Sequence, residues 1–345
     1  MHTEFLYTLL DSMSVSGYEI DLQKKVISEM TAHCDRILTD YTGNVICVLN
    51  PDAPFKVMLT GHIDEIGLIV THIQEDGMLR VARAGGIYAG VYPGHQVLIY
   101  TENGVVPGVV VHNKDMTKGD LKDKDLILDI GAMNGEEARA LVQNGDPVHL
   151  NTYHLALQNN RLCARGIDDR GGAFIVLEAL KRAKEKGCEI GVYAATTVGE
   201  ETTMRGAHWA GNGILPNVAI AVDVTYAQDY PGTNPQESAK IELGKGPVLC
   251  NSSISNRKVN ALLKQCAADL SIPYQVESFV GRTGTDADKL HLAGSGVVTA
   301  LVSLPLRYMH SPSEVCQLDD VENAIELLAE FLCRIHGDTD LDPFH

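Results

Sequence analysis

The fold class is decided by residues 161–201, with the sequence Arg161-Leu-Cys-Ala-Arg-Gly-Ile-Asp-Asp-Arg-Gly-Gly172-Ala-Phe-Ile-Val-Leu-Glu-Ala-Leu-Lys-Arg-Ala-Lys-Glu-Lys186-Gly-Cys-Glu-Ile190-Gly-Val-Tyr-Ala-Ala-Thr-Thr197-Val-Gly-Glu-Glu201. Apolar residues recur at helical spacing over residues 172–186, and Gly187 ends this predicted amphipathic helix. Residues 190–197 form an apolar run typical of a buried strand. A strand, a helix and a second strand in this order predict an α/β sheet.

The same alternation extends in both directions from this stretch. Upstream, helices are predicted at residues 5–10 and 20–30, and strands at residues 44–49 and 56–60. Downstream, strands are predicted at residues 218–224 and 297–304, and helices at residues 256–270 and 319–335. The predicted fold class is therefore α/β, with a mixed sheet sandwiched by helices.

A segment of different composition interrupts this alternation. From Gly67 to Leu155 the chain is rich in glycine, and turn signals such as Glu102-Asn103-Gly104 separate short runs of valine and isoleucine. This pattern predicts antiparallel β structure. Because 345 residues also exceed the usual size of one hydrophobic core, we expect one domain formed by residues 1–66 and 157–345, with a β-rich domain inserted at residues 67–156.

Composition restricts the class of partner and the compartment. With 28 basic and 45 acidic residues the net charge is −17, which disfavours nucleic acid and anionic membranes as partners. The sequence contains neither a long uncharged apolar stretch nor a signal peptide at its start, and its 8 cysteines form no Cys-x-x-Cys pair. These features predict a cytoplasmic protein with reduced thiols.

Acidic and imidazole side chains stand at or just after the ends of five apolar or strand-like segments. These residues are His62 and Asp64, Asp168, Glu200 and Glu201, Asp223, and His310. In open α/β folds the ends of neighbouring strands line the crevice that binds ligands. We therefore expect the five segments to converge on one site.

Taken singly, each of these signals has an ordinary structural explanation. A His-x-Asp pair after a strand is often structural, an aspartate before a helix is commonly an N-cap, and paired glutamates usually lie in a solvated loop. A lone His310 would most simply be a core histidine. Together, however, two imidazoles and three carboxylates are ligands that Zn, Co or Mn take in hydrolytic sites.

Charge balance favours two metal ions in this cluster. Two divalent cations would balance Asp168, Glu201, Asp223 and a bridging hydroxide, whereas one cation would leave the site anionic. Glu200 and Glu201 are neighbours, and neighbours in an extended chain point to opposite sides. We expect one of them to bind metal and the other to face the substrate as a base.

At these residues the chain resembles the tetrahedral (TET) aminopeptidases, also described as glutamyl or deblocking aminopeptidases, a family of co-catalytic di-zinc exopeptidases. The resemblance covers nearly the whole chain. The matching motifs are Gly61-His-Ile-Asp-Glu-Ile-Gly67, Ala164-Arg-Gly-Ile-Asp-Asp-Arg-Gly-Gly172, Thr197-Val-Gly-Glu-Glu201, Ala221-Val-Asp223, Gly284-Thr-Asp-Ala287 and Pro305-Leu-Arg-Tyr-Met-His-Ser-Pro312.

The resemblance implies a metal-dependent aminopeptidase that removes N-terminal residues from peptides. It implies two divalent ions, Zn²⁺ or Co²⁺, one held by His62, Asp168 and Asp223 and the other by Asp168, Glu201 and His310. Glu200 would then be the general base and Asp64 a support for His62. The resemblance also implies that residues 67–156 form a dimerisation domain and that dimers assemble into a hollow dodecamer.

The sequence leaves alternatives open for the substrate preference and for the class of reaction. The match to the family is looser at residues 280–285, where Arg282, together with Lys289, could bind an acidic substrate side chain. A di-metal deacylase of N-acyl amino acids would need the same ligands, and a glycoside hydrolase could use two carboxylates. A non-catalytic, metal-stabilised assembly protein is a further alternative, in which Glu200 would have no role.

Overall fold

The computed structural model describes residues 3–113, 121–234 and 240–344. The strands in chain order are β1 (Arg36–Thr39), β2 (Val45–Leu49), β3 (Lys56–His62), β4 (Gly67–Ile73), β5 (Leu79–Ala84), β6 (Gln96–Thr101), β7 (Gly104–Val110), β8 (Ile127–Asp129), β9 (Pro147–Leu150), β10 (Leu155–Leu157), β11 (Arg161–Ala164), β12 (Gly191–Thr197), β13 (Val218–Tyr226), β14 (Val248–Ser252), β15 (Gln275–Phe279), β16 (Val298–Leu306) and β17 (Glu314–Gln317). The helices are α1 (Glu4–Asp11), α2 (Ile20–Met30), α3 (Gly135–Leu141), α4 (Ile167–Glu185), α5 (Arg205–Ile214), α6 (Arg257–Asp269), α7 (Ala287–Leu290) and α8 (Leu318–Arg334).

A mixed sheet forms the centre of the larger domain. Its strands, within the described residues, follow the order β1-β2-β12-β3-β13-β16-β14-β15. The four central strands β12, β3, β13 and β16 are mutually parallel, while β2 and β14 join them in antiparallel orientation. Parallel strands are usually buried on both faces, which explains why their sequences are continuous apolar runs.

Helices cover both faces of this sheet. On β3, Val57 and Leu59 pack into a core shared with α1, α2, α4, α6 and α8, whereas Met58 faces a second core shared with α5 and α7. This alternation follows from the two-residue period of a strand. The predicted α/β fold with a helix-covered mixed sheet is confirmed.

The chain leaves the sheet after β3 and enters a separate β-rich domain. Its strands form a closed antiparallel barrel in the order β4-β5-β8-β7-β6-β9, spanning Gly67 to Leu150. The barrel has its own apolar core, which includes Leu68, Val97 and Leu128. This core is separate from the cores of the main sheet. The glycine-rich segment that differs in composition from the rest of the chain therefore also packs as a separate unit.

A small antiparallel sheet of β10, β11 and β17 lies beside the main sheet. It leads directly into α4, which begins at Ile167, five residues before the predicted start at Gly172. The first turn is irregular, because Asp168 (φ −75°, ψ 105°) and Asp169 (φ −119°, ψ 32°) have non-helical backbone angles and the peptide bond between them is cis. Asp169 accepts a hydrogen bond from the N–H of Gly172, so regular helix effectively begins near the predicted position.

The cysteines agree with the prediction of reduced thiols, since all 8 are free. None of the helices in the described part of the chain combines the length and apolarity needed to cross a bilayer.

Candidate active site

The predicted site residues come together at one edge of the main sheet. His62 is the last residue of β3, Asp223 lies in β13, and Glu200 and Glu201 follow β12 within four residues. His310 follows the end of β16 by four residues. Since β3, β12, β13 and β16 are parallel, their carboxyl ends share one edge, and the expected convergence is observed.

Asp168, in the irregular first turn of α4, lies between the two histidines. Its Oδ1 is 3.2 Å from Nε2 of His62, and its Oδ2 is 3.2 Å from Nε2 of His310. Asp168 is 6 % exposed. One carboxylate whose two oxygens face different imidazoles has the arrangement of a ligand that bridges two cations.

Two groups of potential ligand atoms surround His62. One contains His62, Asp168 and Glu201, and the other contains His62, Asp169 and Asp223; within each group the atoms lie within 4.8 Å of one another. Asp169, however, already accepts hydrogen bonds from the N–H groups of His62 (3.0 Å) and Gly172 (3.1 Å). The oxygens of Asp168 face imidazole nitrogens and not backbone donors, so Asp169 is better suited than Asp168 to holding the backbone.

Asp64 is fully buried and connects two of the segments. Its carboxylate accepts the N–H groups of Glu200 (3.0 Å) and Glu201 (3.2 Å), while Nδ1 of His62 lies 3.1 Å from its carbonyl oxygen. Asp64, predicted to support His62, thus contacts its ring through the backbone carbonyl, and its Oδ1 also lies 3.5 Å from Nδ1. That contact fixes the orientation of the His62 ring and directs Nε2 toward Asp168.

Glu200 and Glu201 were expected to point to opposite sides, but both side chains approach His62. Their successive N–H groups both donate to Asp64, because the chain turns here instead of continuing as a strand. Oε2 of Glu200 is 3.7 Å from Nε2 of His62, and Glu201 belongs to the same group of ligand atoms. Each glutamate also has a buried Oε1 without a hydrogen-bond partner.

The barrel domain reaches this site through two consecutive glycines, which are not among the predicted site residues. A Cβ atom on Gly86 would lie 3.0 Å from two atoms of the His310 ring, and one on Gly85 would lie 3.3 Å from the carboxylate of Glu201. The ring centre of Tyr88 is 6.2 Å from that of His310. The Gly85-Gly86 pair is the sequence signal for this close approach.

Comparison with known proteins identifies the family. A model of the M42 glutamyl aminopeptidases matches residues 43–327. The chain belongs to the M42 peptidase family. It is therefore a metal-dependent aminopeptidase, a hydrolase of the exopeptidase class, and the resemblance to TET aminopeptidases is confirmed. Neither the deacylase nor the glycoside hydrolase alternative is favoured.

Relatives match this M42 peptidase along nearly its whole length. The lysyl aminopeptidase of Pyrococcus furiosus is 34% identical over 340 residues, which cover 95% of this chain and 96% of the relative. The crystal structure of a TET aminopeptidase from the marine sediment archaeon Thaumarchaeota archaeon SCGC AB-539-E09 has a TM-score of 0.91 and 31% identity, covering 97% and 96% of the two chains. The TET1 peptidase of Pyrococcus horikoshii, which can assemble into a tetrahedron or a large octahedral shell, has a TM-score of 0.86 and 29% identity, covering 96% and 99%.

The electrostatics of the M42 site fit the binding of cations. Burial and the charge of Asp168 raise the pKa of Glu201 well above its usual range, and burial together with Asp168 raises the pKa of Asp223 to about 8. Burial and the charges of Asp223 and Asp286 likewise raise the pKa of Glu200. These carboxylates resist ionisation because too few positive charges face them, and divalent cations would supply the missing charge.

The histidines compensate only part of this negative charge. Burial disfavours the charged form of His62, but hydrogen bonds to Asp168 and Asp64 outweigh burial and raise its pKa well above the usual value. Burial would raise the pKa of Asp168, yet hydrogen bonds from His310 and His62 lower it. The raised pKa of His62 and the lowered pKa of Asp168 thus reflect one mutual contact, which leaves the other carboxylates of the site without a positive partner.

Of the two predicted specificity residues, Arg282 lies in a structured loop and Lys289 lies in α7. Asp288, only 6 % exposed, accepts hydrogen bonds from the backbone of Thr283 and Gly284, and its Oδ2 is 3.6 Å from Nε of Arg282. The Arg282 side chain is 79% exposed, and Lys289 is half-buried. The positive charge of Arg282 is thus partly engaged by Asp288.

Proposed function

We propose that this aminopeptidase uses two divalent ions, Zn²⁺ or Co²⁺, to hydrolyse the N-terminal peptide bond of its substrates. His62, Asp168 and Asp223 would hold one ion, and Asp168, Glu201 and His310 the other. The observation that carries this assignment is the position of Asp168, with one carboxylate oxygen 3.2 Å from each of the two imidazoles. The ligand set of histidines and carboxylates is typical of zinc and cobalt hydrolases.

The proposed general base is Glu200. When bound, the two ions would polarise the scissile carbonyl and lower the pKa of the attacking water. Glu200 accepts the proton of that water and returns it to the nitrogen of the leaving amine. Its unpartnered Oε1 and its raised pKa support this role, since a raised pKa makes the ionised carboxylate a stronger base for the proton of the water.

Asp64 is proposed to act on the base and on the ligands together. It orients His62 through its carbonyl and fixes the backbone of Glu200 and Glu201 through its carboxylate. These contacts hold the base at a fixed position relative to the metal ligands, as catalysis by a positioned group requires. Asp64 itself is fully buried and does not contact the substrate.

The proposed assignment is tested with Glu200→Gln. We expect the variant to bind as many metal ions as the wild type and to lose about 100- to 10,000-fold in turnover, the usual contribution of general acid-base catalysis. Turnover is measured on a panel of aminoacyl anilides, and metal content by elemental analysis. A matched control is Glu277→Gln, because Glu277 is also buried but its carboxylate contacts the hydroxyls of Thr225 and Ser303.

The outcomes distinguish the proposed roles. A Glu200→Gln enzyme with normal turnover would show that Glu200 is not the base. Loss of metal together with activity would instead assign Glu200 to the ligands. Hydrolysis of N-acetylated substrates at the rate of free ones would favour the deacylase alternative, because an aminopeptidase requires a free α-amino group.

We also propose that residues 67–156 mediate dimerisation, that the dimers assemble into a dodecamer, and that the enzyme acts on peptides in the cytoplasm. The tetrahedral assembly of the Pyrococcus horikoshii relative supports the oligomer, since a tetrahedron built of equivalent chains is a dodecamer. The free thiols support a reducing compartment. Light scattering measures the mass of the assembly, and a monomeric mass at assay concentration would contradict the proposed oligomer.

A further inference from the structure

Glu314 connects the backbones of two proposed metal ligands. It begins β17 and is 2 % exposed. Its Oε1 accepts the N–H of His310 at 2.9 Å, and its Oε2 accepts the N–H of Asp168 at 3.2 Å. One buried side chain therefore joins the segment after β16 to the irregular start of α4.

One of these two ligand residues has a backbone conformation that needs support. His310 has a φ of 64°, in the left-handed region that only glycine adopts readily. Such a conformation persists where the surrounding contacts determine it, and the bond from the N–H of His310 to Glu314 is a contact of this kind. Asp168 has an ordinary extended backbone (φ −75°, ψ 105°), and its N–H bond to Glu314 anchors the irregular first turn of α4.

The same arrangement occurs twice more around the site. Asp64 accepts the N–H groups of Glu200 and Glu201, and Asp169 accepts those of His62 and Gly172. Each of the three acids uses its two oxygens for two backbone N–H groups. Together they connect four of the five segments that carry the proposed ligands and the base.

We propose that Glu314 is a positioning residue that sets the separation of Asp168 and His310 and thereby the affinity of the ion they share. This inference rests on the proposed metal assignment. The ion held by Asp168, Glu201 and His310 has two ligands attached to Glu314, whereas the other ion has only one. We therefore expect the loss of Glu314 to weaken the first ion more strongly than the second.

The test is Glu314→Gln, which keeps the size of the side chain but replaces one acceptor oxygen by a donor NH₂ group. One of the two N–H groups then faces a donor and loses its partner. Loss of a group that orients metal ligands typically lowers metal affinity about 10- to 100-fold. We expect a decrease of this size for one of two ions, measured by equilibrium competition with a chromogenic chelator on metal-free protein.

Glu277→Gln serves as the matched control. Glu277 is similarly buried, but its partners are the hydroxyls of Thr225 and Ser303, which can rotate to accept from an amide. Its metal affinities should remain those of the wild type. The turnover of Glu314→Gln should recover as the metal concentration rises, because excess metal compensates for a weakened affinity. The turnover of a misfolded protein would not recover. Wild-type affinity for both ions in Glu314→Gln would overturn the proposal.

A second measurement does not depend on whether the variant folds. In metal-free wild-type protein the amide hydrogens of Asp168 and His310 should exchange slowly, because both are bonded to a buried carboxylate. Exchange as fast as in an exposed loop would overturn the proposal. If the wild type bound only one ion while these amides were protected, the two-metal assignment would fail and the contact made by Glu314 would stand.

Discussion

A large loss of stability is expected when Glu65 loses its charge. Glu65 follows the His62–Asp64 segment and is 2 % exposed, and its Oε2 accepts hydrogen bonds from Arg165 and from Arg170, the latter at 2.9 Å. Arg165 is 5 % exposed and Arg170 is fully buried. Both arginines also donate to the carbonyl oxygen of Ser12, after α1, so this cluster fastens the N-terminal helix to the segment that carries Asp168.

Glu65→Gln should cost about 3–5 kcal/mol of unfolding free energy, the usual effect of removing one partner of a buried ion pair. Two guanidinium groups depend on this one carboxylate, but their losses are not additive, because the glutamine oxygen can still accept one N–H. Such a loss is a large part of the about 5–15 kcal/mol that stabilises a typical domain. The measurement is urea unfolding at pH 7 of metal-free protein, so that bound ions do not contribute.

The effect should also depend on pH in a defined direction. Burial would raise the pKa of Glu65, but the charges of Arg165 and Arg170 outweigh it and hold the pKa well below the ordinary value of 4.5. A carboxylate with a lowered folded-state pKa stabilises the protein above its unfolded-state pKa, and this stabilisation is lost as the pH falls toward the folded value. The difference between wild type and Glu65→Gln should therefore shrink below a pH of about 4.5.

Glu75→Gln is the control, since Glu75 pairs with Arg139 at the surface and its side chain is 88% exposed. Exposed pairs often contribute nothing measurable, so no change is expected. A loss of less than about 1 kcal/mol in Glu65→Gln, or a difference that grows as the pH falls, would refute the account of a buried charge cluster.

Two further substitutions test the packing of the site and its specificity. Gly61→Ala would place a Cβ 2.4 Å from the backbone nitrogen of Ala173, so β3 and α4 must separate. We expect the variant to lose about 1–3 kcal/mol or more of unfolding free energy, measured with urea, and to have reduced turnover. The control is Gly213→Ala on α5, where the added Cβ meets open space and should be neutral or stabilising. Unchanged stability in Gly61→Ala would contradict the close contact. Arg282→Glu should lower the kcat/KM for a Glu-anilide relative to a Leu-anilide by up to about fivefold, the value of one exposed ion pair. An unchanged ratio would eliminate Arg282 as a specificity residue.

The sequence was sufficient for the central elements because their signals are local. The apolar runs around β3, β12, β13 and β16 predict buried strands, and parallel pairing then brings their carboxyl ends together. Three of the ligand-bearing segments could be predicted in the same way, since they lie at or just after the ends of β3, β12 and β16. Asp223, in contrast, lies within β13, and Asp168 follows β11 of the small sheet. The inserted β-rich segment was visible as a change in glycine content and turn signals.

The remaining features depend on contacts between residues distant in sequence. Closure of the barrel pairs β4 with β9, about 80 residues apart, and no local pattern specifies that pairing. The approach of Gly86 to His310 and of Glu314 to Asp168 likewise joins separate segments. The opposite orientation expected for Glu200 and Glu201 was wrong because it assumed an extended chain, where the structure has a turn around Asp64.

Hydrogen bonding separates two groups among the buried acids of the site. Asp64, Asp169 and Glu314 each have both oxygens occupied by backbone N–H groups. Burial, with the charge of Asp223 at Asp169 and that of Asp168 at Glu314, still raises the pKa of these two acids, so their backbone partners position them without offsetting the whole cost of burying their charge. Glu200 and Glu201, in contrast, each keep a buried oxygen without a partner. An unpartnered buried oxygen is costly and requires a cation or a proton.

This division distinguishes ligands from supports more sharply than proximity does. Asp168 and Asp169 are adjacent and both approach His62, yet only Asp168 directs its two oxygens at imidazoles instead of backbone donors. Removing the supporting acid should loosen the site before it changes the chemistry, whereas removing an unpartnered one should change the chemistry and leave the backbone in place. Glu314→Gln and Glu200→Gln are therefore expected to fail in different measurements, the first in metal affinity and the second in turnover at full metal occupancy.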